Sequence, residues 1–186
     1  MKKWCILVVI LFLFGCSKEN SEMGRGLAFR EKLLQSSGCS FEAEITADFG
    51  DKLYTFLLNC QGNADGSLSF SVQKPDTISG ISGILSAEVG KITFEEDRAV
   101  AFPMLADGEI TPVGAPWVLY NALRCGYILA CGKEGDLLRL TINDSYEEEA
   151  MQVDVWLDEQ DCLVSAEIFC DGRRIVSIQV MNFQIL

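Results

Sequence analysis

The run Ser40-Phe41-Glu42-Ala43-Glu44-Ile45-Thr46-Ala47-Asp48-Phe49, the pair Gly50-Asp51, and the return Lys52-Leu53-Tyr54-Thr55-Phe56-Leu57-Leu58-Asn59-Cys60 decide the fold. Phe41, Ala43, Ile45, Ala47 and Phe49 alternate with Ser40, Glu42, Glu44, Thr46 and Asp48, the period of two that a half-buried strand requires. A turn led by glycine suits a type II′ hairpin. Closed on Gly50-Asp51, it sets Phe56 against Ile45, Leu58 against Ala43 and Cys60 against Phe41, so one apolar face continues across both strands.

The same texture extends in both directions along the chain. After the turn Asn63-Ala64-Asp65-Gly66, Leu68, Phe70 and Val72 predict a third strand ended by Pro75, and 81–88, 91–95 and 99–102 read as three more, with turns at Val89-Gly90 and Glu96-Asp97. Strands are expected again over 127–131, 137–142 and 151–157, then over 163–170 and 174–185 across Asp171-Gly172. In that last pair Val164, Ala166 and Ile168 face Val180, Ile178 and Val176 if the turn holds three residues. Between the two series, Pro112 and Pro116 punctuate a loop, and Trp117, Tyr120 and Leu123 recur at helical spacing up to Gly126, a short helix read as a plug, a lid or plain core packing. Before the first strand, Met23, Leu27, Ala28 and Leu34, with Phe29 and Leu33 beside them, predict a helix through about Ser36 that packs on the sheet. Its charges, Glu22, Arg25, Arg30, Glu31 and Lys32, lack the basic bias of membrane-surface helices.

At the start of the chain, Lys2 and Lys3 precede an apolar run from Trp4 to Phe14, too short to span a bilayer, that ends in Gly15-Cys16. Leu13-Phe14-Gly15-Cys16 resembles the lipobox of bacterial lipoproteins. The resemblance implies cleavage before Cys16, a diacylglycerol on its sulfur, and two acyl chains (palmitate-type fatty acids) holding the protein to a membrane. The expected organisation is then a signal peptide over 1–15, a lipidated tether over 16–24 and a single domain over 25–186. The location is the outer face of the cytoplasmic membrane, with the spore envelope as a further site. Losing Lys2 and Lys3 takes the formal charge from −12 to −14, which argues against nucleic acid and against lying flat on anionic lipid.

Histidine is absent, and with it the commonest general base and metal ligand. Beyond Cys5 and Cys16, six cysteines remain, none in a Cys-x-x-Cys pair; buried thiols are the default, and Cys39 with Cys60, diagonal on one face, is the pair to test for a disulfide. Gly80-Ile81-Ser82-Gly83 has the wrong spacing for a nucleophile elbow, and Gly24-x-Gly26 follows no strand as a dinucleotide fingerprint would. Glu147-Glu148-Glu149 and Glu95-Glu96-Asp97 supply carboxylates, but at turns where solvated charge is the ordinary explanation. No catalytic residue, metal or cofactor is expected.

The pattern as a whole describes a long antiparallel sheet of ten or eleven short strands curled over two helices. Residues 74–81 (Lys-Pro-Asp-Thr-Ile-Ser-Gly-Ile), 110–117 (Ile-Thr-Pro-Val-Gly-Ala-Pro-Trp), and the ending with Leu157-Asp158, Ala166-Glu167-Ile168, Asp171-Gly172 and Met181-Asn182-Phe183 resemble the lipoprotein-carrier (LolA-like) superfamily. The nearest flavour is that of the GerS-related germination lipoproteins of spore-forming bacteria. The resemblance implies an unclosed half-barrel with an apolar hollow, to which the alternation assigns Phe41, Ile45, Phe56, Phe70, Trp117 and Tyr120. It implies either a hollow that accepts a lipid or an acylated protein, or a scaffold for an envelope protein such as a spore-cortex amidase. A soluble shuttle is disfavoured, because an anchored chain does not leave its membrane.

Overall fold

The computed structural model describes residues 19–48, 50, 52–87, 90–94, 98–102, 105–106, 109–146 and 150–186, with only the backbone of 19–21 and 90–109. Cys16 and the segment 1–15, Phe49, Asp51, Val89, the run 95–97 and the run 147–149 lie outside the described residues. Helix α1 (Glu19–Gln35) leads into β1 (Gly38–Asp48), β2 (Leu53–Asn63), β3 (Leu68–Lys74), β4 (Ser82–Leu85), β5 (Gly90–Phe94) and β6 (Arg98–Phe102). A small hairpin, β7 (Leu105–Ala106) and β8 (Glu109–Ile110), precedes α2 (Ala115–Cys125). The chain then runs through β9 (Tyr127–Glu134), β10 (Leu137–Asn143), β11 (Gln152–Leu157), β12 (Leu163–Cys170) and β13 (Arg173–Ile185).

Eleven strands form one open antiparallel sheet in the order β6-β5-β4-β3-β2-β1-β13-β12-β11-β10-β9. Two local meanders therefore meet at a seam between β1 and β13. Ser37 N donates to Leu186 O at 3.2 Å and Leu186 N donates to Gly38 O at 2.9 Å, holding one end of the seam. This is the expected half-barrel, α+β and unclosed. Among the described residues no helix is long and apolar enough to cross a membrane.

The first hairpin has the predicted register, with Ile45 opposite Phe56, Ala43 opposite Leu58 and Phe41 opposite Cys60. In the last hairpin Ala166 faces Ile178 and Ile168 faces Val176, as expected, but not through a three-residue turn. The turn is Asp171-Gly172 alone, and a bulge between Ile168 and Phe169 supplies the offset. A second bulge lies between Ser40 and Glu42 of β1, opposite Asn182 and Phe183 of β13. Asn182 takes φ 54°, a conformation asparagine tolerates better than most residues. The extra residue lets Phe183 turn inward to Phe29 and Phe41, ring centroids 6.0 and 6.3 Å away, while Asn182 points out.

Helix α1 departs from its prediction twice. It starts at Glu19, inside the expected tether, and it buries a different stripe. Phe29 and Leu33 enter the core, whereas Leu27 and Leu34 are 51% and 47% exposed. Gly26 lies at the contact: a Cβ there would stand 2.5 Å from Leu140 Cδ2, so a larger residue would require the Leu140 side chain to shift for α1 to lie this close to β10. Gly26 serves that close approach of helix to sheet.

Candidate functional site

The concave side of the sheet carries one apolar cluster, and it contains all six residues assigned to the hollow. Phe41, Ile45, Phe70 and Tyr120 are buried; Phe56 and Trp117 are half-buried and pack against them. Strands β1, β2 and β3 present the phenylalanines and Ile45 by their period of two, and α2 brings the other two from above.

Three side chains one turn apart on α2 fasten it to the β2–β3 turn. Trp117 Nε1 donates to Gly66 O at 3.1 Å, Tyr120 Oη to Asn63 O at 2.7 Å, and Arg124 Nη2 to Ala64 O at 2.7 Å. Arg124 also donates to Tyr120 Oη at 3.2 Å, its guanidinium 5.3 Å from the ring centroid. The Tyr120 ring lies on Gly62, where a Cβ would meet Cε2 and Cζ at 2.5 Å. At the far end of α2, Arg30 of α1 donates to Leu123 O at 2.7 Å and to Ala122 O at 3.1 Å, placing a cation on the negative end of the helix. Burial lowers the pKa of Arg30 and raises that of Tyr120. Arg25 in turn ties α1 to the β11–β12 turn through Asp161, at 2.5 Å, and Asp158 O, at 3.1 Å. The central helix is thus a fastened plug rather than a hinged lid. Neither Arg30 nor Arg124 is marked as a fastener by the sequence: the spacing of Trp117, Tyr120 and Arg124 along one face of α2 is a signal for Arg124 alone, and Arg30 has none.

Cys39 and Cys60 lie diagonally on the inward face, as expected, and both are free thiols. Burial pushes the Cys39 thiol up to about 12 and raises that of Cys60 further, with Cys39 adding to it. Such thiols stay protonated and unreactive at neutral pH.

The outer face carries two polar assemblies. Near the β9 edge, Asp154 is fully buried beneath Arg139 at 2.5 Å, with Gln152 Nε2 donating to it at 3.2 Å. Arg139 stacks on Trp156 at 5.5 Å, and Trp156 Nε1 donates to Glu134 at 3.1 Å. Over β3, β2, β1 and β13, a depression of about 550 Å³ is lined by Ser40, Glu42, Asn59, Gln61, Ser69 and Asn182, among others. At the sheet's end strand β9, Tyr127 and Leu129 are exposed, and Tyr146, 86% exposed, leans on Tyr127 with ring centroids 5.0 Å apart. No group of potential metal ligands forms among the described residues.

No protein-family model matches the sequence, and no curated protein matches it either. Solved structures with a similar chain course exist. A putative outer membrane lipoprotein-sorting protein domain from Vibrio parahaemolyticus is 7% identical over 90% of this chain and 93% of its own, with a TM-score of 0.49. An uncharacterized conserved protein from Thermus thermophilus is 8% identical over 86% of each chain, TM-score 0.47. The LolA superfamily protein NE2245 from Nitrosomonas europaea is 6% identical over 87% of this chain and 93% of its own, TM-score 0.43. At these values, what the site does has to be argued from its own geometry.

Proposed function

We propose that this chain is a lipid-anchored, non-catalytic binding protein of the cell envelope. Cys16 carries the acyl groups, and the half-barrel holds an envelope protein along its β9 edge. The observation that carries this reading is the fastened plug. With Trp117, Tyr120 and Arg124 bound to the carbonyls of the β2–β3 turn, and with Phe41, Ile45, Phe70 and Tyr120 buried in the core, the inserted helix packs as core, which favours a protein partner over a carried acyl chain. A terminal strand offers backbone donors and acceptors, and Tyr127, Leu129 and Tyr146 add exposed apolar area beside it. The chain's charge of −12 selects a basic segment as the added strand. A scaffold for a cortex-processing amidase, implied by the GerS resemblance, is one form of this role.

A second reading, a lipid or acylated ligand in the hollow, draws on Phe56 and Trp117, the two hollow residues left half-buried. One experiment separates the two. The protein is extracted gently from its native membrane, and the complex is weighed intact for the parent and for the triple variant Tyr127→Ala, Leu129→Ala, Tyr146→Ala. A protein partner lost from the variant supports the scaffold. A bound lipid retained by the variant supports the hollow, and recovery of the chain alone at physiological salt sinks both. Mass analysis of the mature N-terminus tests the anchor separately; an unmodified Cys16 refutes it.

A further inference from the structure

The depression on the outer face differs in chemistry from the rest of the surface. Its lining side chains form two ranks that run across the strands in register. Ser69, Gln61, Ser40 and Gln184 make one, and Ser71, Asn59 and Glu42 make the other. Asn182 completes the second rank by donating from Nδ2 to Glu42 Oε1 at 3.1 Å. It does so from a left-handed backbone inside the β1–β13 bulge, the kind of irregularity that re-aims a side chain. In a chain with 23% charged residues, Glu42 is the one carboxylate lining the depression, and no cation lines it. The side chains of Ser40, Asn59, Gln61, Ser69 and Gln184 engage no protein partner among the described residues, so five groups able both to donate and to accept converge on one space.

We propose that this depression binds a neutral oligosaccharide. An anionic ligand would enter against the −12 charge of the chain, and a cationic one would find a single carboxylate already accepting from Asn182. An apolar ligand would strand the free amides and hydroxyls. A polyhydroxylated chain satisfies them, because each sugar hydroxyl donates and accepts as they do. Neighbours within a rank stand one strand spacing, about 4.8 Å, apart, which offers one amide or hydroxyl to each successive ring laid across the sheet. The site lies on the opposite face from the hollow and is separate from the β9 edge, so it stands or falls independently of the partner proposed above.

The test uses the full chain in dodecylphosphocholine micelles, a detergent with no sugar headgroup, titrated with tetra-N-acetylchitotetraose and with cellotetraose. Binding is followed by calorimetry and by amide NMR shifts. The expected result is saturable binding of at least one sugar, with shifts confined to β1, β2, β3 and β13. The double variant Asn59→Ala, Gln61→Ala should bind about tenfold more weakly, the loss of two hydrogen bonds of ordinary net strength. Its melting temperature should be unchanged, since both side chains are exposed. No binding of either sugar at millimolar concentration, shifts that map elsewhere, or equal affinity in the double variant overturns the proposal. So does a groove that responds to a basic peptide or to phospholipid vesicles but not to sugar.

Discussion

Replacing Gly62 by alanine tests the fastened plug at its tightest point. The new methyl would stand 2.5 Å from Cε2 and Cζ of Tyr120 and 2.9 Å from Cδ2. The ring cannot swing aside cheaply, being fully buried and tied through Oη to Asn63 O at 2.7 Å and to Arg124 at 3.2 Å. Overpacking of this kind costs about 1–3 kcal/mol. Displacing the ring also strains a hydrogen bond worth about 1 kcal/mol net. The expected loss is about 2–4 kcal/mol, a fall in Tm of about 5–15 °C for a domain of this size. Urea unfolding followed by circular dichroism measures it in four proteins: parent, Gly62→Ala, Tyr120→Ala and the double variant. In the Tyr120→Ala background the added methyl meets no ring, so its cost should drop below about 1 kcal/mol and the cycle should show strong coupling. A Gly62→Ala variant as stable as the parent, or one equally costly in both backgrounds, refutes the packing described.

The two helix-fastening arginines should differ in effect. Arg30→Ala removes two bonds to the end of α2 and should cost about 2 kcal/mol in urea unfolding, whereas Arg25→Ala breaks a part-exposed ion pair and should cost under about 1. Arg139→Leu leaves the carboxylate of Asp154 buried without its cation and should cost about 3 kcal/mol; adding Asp154→Leu should recover most of that, read from the same unfolding curves. The folded-state pKa values of Cys39 and Cys60 are raised above that of an unfolded thiol, so their contribution is intact below about pH 9. It should be lost as pH climbs toward 12, by about 1.4 kcal/mol per unit for each thiol. A Cys39→Ala, Cys60→Ala variant should lack that alkaline slope. In native protein at pH 8 a maleimide should label exposed Cys125 well before Cys39 or Cys60.

Strand character and hairpin register were legible because they are local. Alternation from Ser40 to Asp48 and one glycine-led turn suffice to align Ile45 with Phe56. The seam between β1 and β13 joins residues far apart in the chain, and no local signal reports it. The face of α1 differs from the expected one because a count of apolar residues favours Leu27 and Leu34, while the helix turns Phe29 and Leu33 inward, with Gly26 allowing a close approach to Leu140. The hairpin of β7 and β8 is too short to show a period at all. Membership of the apolar cluster followed from the same alternation. The fastening of α2 did not, because Trp117, Tyr120 and Arg124 bind main-chain carbonyls, which every residue possesses. Asp154 falls between the inward Val153 and Val155, where alternation alone marks a solvent-facing acid; its burial depends on Arg139 from the neighbouring strand.

The position of β13 carries a consequence for how the molecule is made. In many sheets a strand synthesised late adds to a rim, and losing it frays a border. Here β13 follows all the other strands of the sheet in synthesis, yet slots between β1 and β12, in the middle of the array. Residues 173–185 must therefore clear the ribosome before the two meanders can be joined. A chain cut before Arg173 would be left with two separate apolar sheets, each with a raw inner margin, prone to sticking to other copies of itself. Quality control in the cell thus has a simple mark to act on: whether the two halves have been stitched together.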